Sequence, residues 1–296
     1  MSSVVNPDSR KGCKNMEIIK NPSGMQKFAL SAKRKGQRIG LVPTMGFLHE
    51  GHLSLMRLAR KHAHLVVVSN FVNPTQFAPG EDFAAYPRDF ERDCRMAEGV
   101  PVDVMFAPDK NDMYPEGCRT YVEVEGWGKI LCGATRPTHF RGVATIVLKL
   151  FNIVQPDMAV FGWKDAQQFL LLRRMVKDLD LPIEMVGGEI IREESGLAMS
   201  SRNIYLTPEE KEEAVILSRS LSQAKRMIIE EGITDTATLK QFIRGEIERT
   251  KHGRIDYVEI VSMESLEGMN MVKKGDTLIA IAARFGKTRL IDNIRY

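Results

Sequence analysis

The stretch that most constrains the fold is Ile39 to Phe71, IGLVPTMGFLHEGHLSLMRLARKHAHLVVVSNF. An apolar run (Ile39, Leu41, Val42) stops at Pro43 and Gly46. A helical pattern then opens around His49-Glu50-Gly51-His52 and carries Leu55, Leu58 and Ala59, and a second apolar run spans Leu65 to Val68. Strand, turn, helix and strand within about thirty residues make a βαβ unit. Such a unit is right-handed in nearly every case. Its first turn lies at the carboxyl edge of a parallel sheet, where α/β proteins bind their ligands.

The content of that turn points to an anion. His49 and His52 are three apart, so on a helix they share one face. They stand at the helix start, where free N–H groups and the positive end of the dipole favour negative charge. Gly46 and Gly51 keep bulk away, so a phosphate can approach the backbone closely. Two surface histidines on an ordinary helix would leave the same H-x-x-H pattern, which is weak by itself. The turn is neither a P-loop nor a G-x-G-x-x-G dinucleotide fingerprint, and HEGH lacks the four-residue spacing of a metalloprotease pair.

Composition sets the outer bounds. A chain of 296 residues, 43% hydrophobic and 27% charged, suits a soluble globular protein of one large or two ordinary domains. No apolar run reaches the ~20 residues that span a bilayer. The opening MSSVVNPDSRKGCKN lacks the apolar core of a signal peptide and reads as a disordered or non-native tail. Cys13, Cys94, Cys118 and Cys132 have no C-x-x-C spacing, so neither zinc nor a disulfide framework is indicated, and free thiols in a reducing cytosol are expected. A net charge of +4 suits anionic metabolites and falls short of a nucleic-acid-binding stripe.

The remaining elements follow in order. Met16–Ile19 reads as a strand, Met25–Lys35 as a basic helix, and VNPTQFAPGEDFAAYPRDFERD as a loop with a helix from Asp89. Gln76 follows Pro74-Thr75, so its amide projects from a stiffened turn and suits a hydroxy-acid ligand. Val102–Phe106 is a strand, Tyr121–Val124 an alternating peripheral strand, and Gly142–Val154 an apolar helix with His139 and Arg141 just before it. Met158–Phe161 is a strand that exits through Gly162-Trp163-Lys164-Asp165 into a helix. Lys164 therefore lies at the same sheet edge as the histidines, where an ammonium can meet phosphates as they gain charge.

Ile183–Val186 is a further strand, Gly187-Gly188 a hinge, and Ile190–Arg192 a short strand. Met199-Ser200-Ser201-Arg202-Asn203 combines hydroxyls with a guanidinium, apt for clamping phosphate. Glu209–Glu231 and Ala237–Lys251 read as helices, Ile255–Val261 and Thr277–Ala283 as strands, and Arg284–Tyr296 as a basic tail. The expected fold is α/β: a Rossmann-like parallel sheet of five to six strands with helices on both faces over residues 16–188, plus a smaller α+β domain over 189–296.

Five segments, PTMGFLHEGH, NPTQF, HFRGV, GWKDAQQF and MSSRN, resemble those of the pantothenate synthetase (pantoate–β-alanine ligase) family, in the family's order. That family belongs to the superfamily of nucleotidyltransferases with a HIGH-like motif. The first and last segments fit several superfamily members, whereas the two glutamine segments are specific to the ligases.

The resemblance implies an ATP-dependent condensation of pantoate with β-alanine through pantoyl adenylate, releasing pyrophosphate and AMP. It implies ATP contacts at Met45, Gly46, Phe47, Leu48, His49, Glu50, Gly51, His52, Gly162, Trp163, Lys164, Asp165, Ile191, Met199, Ser200, Ser201 and Arg202. His52, His49, Lys164 and Arg202 are the implied catalytic groups, and Gln76 and Gln168 the implied grip on pantoate, with β-alanine beside Gln76. HFRGV resembles a family segment near the site, but no catalytic role is assigned to it. Also implied are Mg2+ carried mainly by ATP rather than by protein ligands, a cytoplasmic homodimer, and a second domain acting as a lid. No protein nucleophile is required, and the chain shows no G-x-S-x-G elbow or activated-cysteine motif.

Two other readings compete with this one. A nucleotidyltransferase acting on a phosphorylated acceptor would recruit basic residues where Gln76 and Gln168 stand. A nucleic-acid binder using the basic tail would interleave aromatic platforms, which Arg284, Lys287, Arg289 and Arg295 lack.

Overall fold

The computed structural model describes residues 16–296, so the expectation for residues 1–15 lies outside the described residues. In order, the elements are β1 (Glu17–Ile19), α1 (Pro22–Arg34), β2 (Ile39–Thr44), α2 (Glu50–His62), β3 (Leu65–Asn70), α3 (Phe90–Glu98), β4 (Val104–Phe106), α4 (Lys110–Met113), α5 (Cys132–Thr135), α6 (His139–Val154), β5 (Met158–Gly162), α7 (Ala166–Asp178), β6 (Glu184–Gly188), α8 (Pro208–Ala214), α9 (Ile216–Glu230), α10 (Thr236–Glu248), β7 (Gly253–Ser262), β8 (Thr277–Phe285) and β9 (Thr288–Arg295). They form two compact units. The first comprises 16–124, 138–161 and 172–188 of the described residues, and the second 125–137, 162–171 and 189–296.

The first unit is built on a six-stranded sheet of order β1-β4-β3-β2-β5-β6. The pairings of β1 with β4, β4 with β3, β3 with β2 and β2 with β5 are parallel. Alternate strand residues Val42, Val66, Val68, Met105, Met158 and Val160 share a core with Leu53, Leu55, Met56 and Ala59 of α2 and with Cys94 and Ala97 of α3. The intervening residues Leu41, Val67, Val104, Phe106, Ala159 and Phe161 are also buried, so the opposite face is covered as well. This is the Rossmann-like architecture expected from the sequence. Strand order turns around at β2, with β3 on one side and β5 on the other, which is where such sheets open a crevice.

The second unit holds an antiparallel sheet, β7-β8-β9. Val258, Ile260, Ile279, Ile281, Ala283 and Phe285 pack against Leu217, Leu221 and Ile228 of α9 and Leu239, Ile243 and Ile247 of α10.

Several expectations need correction. Tyr121–Val124 is not a strand; the Val122 N–H donates to Thr145 Oγ1 (2.9 Å) rather than to a ladder. Gly187 and Gly188 are the last two residues of β6 rather than a separate turn, and the first unit ends at Gly188. Ile190–Arg192 contributes one isolated bridge, Arg192 to Ala198. The helix expected over Glu209–Glu231 is two, parted at Val215. His139 and Arg141 sit inside the first turn of α6 rather than ahead of it. The basic tail is β9, whose Leu290 is buried in the core.

Candidate active site

The loop between β2 and α2 is the best-defined part of the site. Thr44 Oγ1 donates to Ser69 O (2.6 Å) and accepts from the Gly46 N–H (3.2 Å), which turns the chain as it leaves the sheet. Gly46 has φ +78°, and a Cβ there would meet Asn70 Oδ1 at 2.5 Å and Asp93 Oδ2 at 2.9 Å, so no other residue fits. Phe47 follows at φ +49°, in the left-handed region that non-glycine residues adopt at a cost. Asp93, from the first turn of α3, accepts the N–H groups of Phe47 (2.8 Å) and Leu48 (2.7 Å) and the Asn70 side-chain amide (2.9 Å). Arg92 stacks over the Phe47 ring at 4.8 Å.

His49 is the N-cap of α2, and Glu50, Gly51 and His52 form its first turn. The two imidazoles lie with centroids 4.0 Å apart. His49 donates its backbone N–H to His52 Nδ1 (3.3 Å). Because Nδ1 accepts, the neutral ring carries its proton on Nε2. His52 is thereby fixed as an Nε2–H donor.

Gln76 sits in a single 3-10 turn, Pro74–Gln76, and is buried. Its Nε2 lies 2.9 Å from Met45 Sδ, which places Gln76 beside the histidine loop. Asn73 Nδ2 donates to Gln76 Oε1 (3.1 Å) and to Gly142 O (3.1 Å). Asn73 Oδ1 accepts from Tyr114 Oη (2.9 Å) and Thr75 Oγ1 (2.9 Å). His139 Nδ1 meets Gln76 O at 2.8 Å. Gly142 lets α6 touch this turn: a Cβ there would meet Thr75 O at 2.3 Å and Gln76 N at 2.7 Å.

The other expected residues belong to the second unit. Gly162 ends β5, and Trp163, Lys164 and Asp165 form a 3-10 turn leading into α7. Lys164 pairs with Asp165 (3.6 Å), and Asn293 of β9 holds its backbone by donating to Trp163 O (2.8 Å) and Lys164 O (3.1 Å). Gln168 is half-buried on α7. Its neighbour Gln167 is committed to the fold, accepting from Cys132 N (3.0 Å) and donating to Ile130 O (2.7 Å) and Trp127 O (3.0 Å).

Ile191 O accepts the Met199 N–H (2.9 Å), and the adjacent Arg192 makes a two-pronged pair with buried Asp292 of β9 (2.6 and 3.0 Å). Ser200 Oγ accepts from the Arg202 N–H (3.3 Å) and starts the 3-10 turn Ser201–Tyr205. Asn203 steadies that turn through Glu193 Oε1 (2.8 Å) and Ala198 O (3.1 Å). Met45–His52 and Gln76 are thus brought together in the first unit. In the second unit the Trp163–Lys164 backbone and Arg192 are tied to β9, and Met199 is tied to Ile191.

Sequence reasoning missed Asp93, Asn73, Gly142, Asn293 and Asp292 as supports of these segments. The Asn-Pro start of the turn carried a signal for Asn73, since Asn caps such turns. Nothing in linear spacing connects Asp93 to Phe47.

Fold and loop together define a class: an α/β protein with a Rossmann-like sheet and a histidine-bearing turn at its carboxyl edge. Within it, the chain belongs to the pantoate–β-alanine ligase family, whose model matches residues 17–295. It is 53% identical to a pantothenate synthetase of Acetivibrio thermocellus over 94% of this chain and 99% of that protein. A Sulfurihydrogenibium pantothenate synthetase is 54% identical, covering 95% of this chain and all of the relative (100%). Among solved structures, the pantothenate synthetase of Thermus thermophilus matches with TM-score 0.88 and 44% identity over 95% of this chain and 99% of that one. A Francisella tularensis pantoate–β-alanine ligase, solved in complex with beta-gamma ATP and β-alanine, matches with TM-score 0.77 and 34% identity over 95% and 97%.

Proposed function

We propose that this chain condenses pantoate with β-alanine at the expense of ATP. The observation that carries the reading is the family match across residues 17–295, which takes in all five site segments. In the first step a pantoate carboxylate oxygen attacks the α-phosphorus of ATP. The bond to the bridging oxygen of the β-phosphate breaks, and pyrophosphate leaves with the electron pair. In the second step the neutral β-alanine amine attacks the acyl carbon, AMP departs, and the amine gives up a proton to form the amide. Both attacking atoms come from substrates, so the protein's work is alignment and stabilisation of developing phosphate charge.

In this reading the loop Met45–His52 receives the phosphates on free amides at the start of α2. His52 donates from Nε2 to a phosphate oxygen as charge develops, and His49 lies beside it. Lys164, Ser200, Ser201 and Arg202 stabilise the triphosphate and departing pyrophosphate, with Gly162, Trp163, Asp165, Ile191 and Met199 shaping the nucleotide pocket. Gln76 and Gln168 grip pantoate.

Of the two carboxylates in these segments, Glu50 is paired with Arg57 and Asp165 with Lys164, so neither is set out as a ligand for a hard cation. Among the described residues no group of three or more His, Cys, Asp or Glu could hold a metal. Mg2+ is therefore assigned to the triphosphate oxygens, where it shields charge when bound. A cytoplasmic homodimer and a lid role for the second unit belong to this reading; no helix among the described residues is long and apolar enough to cross a membrane.

The test is an AMP-release assay with ATP, pantoate and β-alanine, repeated with each omitted. AMP release requiring all three, and pyrophosphate release requiring only ATP and pantoate, are expected. AMP release indifferent to pantoate would overturn the reading.

A further inference from the structure

We propose that Asp93 is a positioning residue for the first chemical step, its negative charge holding the phosphate-receiving loop in its working shape. The proposal rests on the function proposed above. The loop is under local strain, with two successive residues, Gly46 and Phe47, at φ +78° and +49°. Glycine takes that conformation freely, whereas Phe47 does so only when its surroundings over-determine it.

Asp93 supplies the determination. Its side chain is 2% exposed, and its two oxygens accept the next two backbone N–H groups, Phe47 to Oδ2 and Leu48 to Oδ1. Asn70, at the end of β3, braces the same carboxylate by donating to Oδ2 (2.9 Å). Arg92 lies 3.7 Å from Oδ1, so the charge is partnered rather than stranded. Two residues downstream His49 caps α2, and its N–H sets the tautomer of His52. A carboxylate on α3 thus fixes, through backbone alone, where the first-turn amides and His52 Nε2 point.

The charge matters as well as the shape. Asparagine would keep the volume but replace one acceptor oxygen with an NH2 donor. Either orientation then opposes donor to donor, at the Phe47 N–H and Asn70 amide or at the Leu48 N–H. Bonds to an ionised acceptor are roughly twice as strong as neutral ones, so the loop also loses strength where bonds survive.

The experiment measures pantoate-dependent pyrophosphate release by wild type, Asp93→Asn, Phe47→Gly and the double variant. Wild-type activity establishes the reaction independently of Asp93. Misplacement by about 1 Å costs on the order of 10²-fold, so Asp93→Asn is expected to lose about that much in the rate of pyrophosphate release, while in the complete reaction, followed by AMP release, its KM for β-alanine stays within about twofold. Phe47→Gly alone loses a few-fold. In the double variant glycine tolerates the left-handed turn without the carboxylate, and about tenfold of the Asp93→Asn loss returns.

Losses that simply multiply would mean that Asp93 serves general stability, and would overturn the proposal. So would Asp93→Asn turning over within threefold of wild type. Should Asp93→Asn not fold, Asn70→Ala removes only the brace. It is expected to lower the rate of pyrophosphate release several-fold while the protein still melts cooperatively only a few degrees lower, and an unchanged rate would overturn the proposal.

Discussion

Two neighbouring segments of the first unit are held in opposite ways. The histidine loop hangs on an ionised group, the Asp93 carboxylate, and tolerates a strained residue because of it. The Gln76 turn hangs on neutral groups: the Asn73 amide, the Tyr114 hydroxyl and a close backbone contact at Gly142. On the roles proposed above, charge suits a loop that would present donors to a polyphosphate, because strong, directional bonds leave no reorganisation for the moment of reaction. On the same proposal, a neutral frame suits a turn that would present an amide to a hydroxy acid, since a nearby fixed charge would compete for the same partner. The first segment should therefore be sensitive to loss of a donor or a charge, and the second to volume.

The largest effect is expected at the donor itself. His52→Ala removes the Nε2–H that its backbone bond has fixed, and loss of one preorganised donor typically costs ~10²–10³-fold in rate. Circular dichroism and melting temperature should be nearly those of wild type, because His52 is only half-buried. Stopped-flow pyrophosphate release at near wild-type rate would remove His52 from the mechanism. Lys164→Ala is expected on the same scale and makes the parallel test in the second unit.

The volume side of the comparison is tested at Gly142. One added methyl would collide with the backbone of Thr75 and Gln76, which cannot yield as a flexible side chain would. Gly142→Ala should raise the KM for pantoate about 10- to 100-fold, as expected for a misplaced binding group, while leaving the KM for ATP within a few-fold. Gln76→Ala should act in the same direction, removing the amide together with its bond from Asn73. If Gly142→Ala weakens ATP as much as pantoate, the turn and the histidine loop are one mechanical piece, and the contrast fails.

The legible part of the molecule was what depends on local periodicity and punctuation. The βαβ unit, the His49 cap and the strands β2, β3 and β5 follow from apolar runs broken by Pro43, Gly46 and Gly162. What escaped depends on contacts remote in sequence. Tyr121–Val124 alternates like a strand, but its backbone finds Thr145 instead of a neighbour. Arg284–Tyr296 reads as a charged tail because arginines punctuate it, although Leu290 and Asn293 are buried between them. Asn293 and Asp292, which hold the Lys164 and Arg192 segments, were hidden for the same reason. The candidate site residues could be quoted from motifs, and Asn73 and Gly142 stand inside two of them, NPTQF and HFRGV, whereas Asp93 could not be found that way, since it meets Phe47 across 46 positions.

The smallest effect probes the neutral frame by pH. Tyr114 is pushed up to about 12, chiefly because burial disfavours the phenolate, with Cys118 and Tyr121 adding in the same direction and the Thr75 hydroxyl opposing. Lys149 also faces the ring, at 5.7 Å. A group whose folded pKa is raised contributes stability that is intact below its unfolded value of about 10 and is lost as pH climbs through the folded value. Unfolding free energy should therefore fall between about pH 10 and 12, and Tyr114→Phe should flatten part of that fall while costing some stability at pH 8 through the lost bond to Asn73. Tyr257 in the second unit is raised in the same direction by burial and Cys132, so the informative quantity is the difference between the two proteins. A difference in unfolding free energy between wild type and Tyr114→Phe that is the same at pH 9 and pH 11, measured by denaturant titration, would show that the Tyr114 proton is not held by the fold. The Gln76 turn would then owe its shape to Gly142 and Asn73 alone.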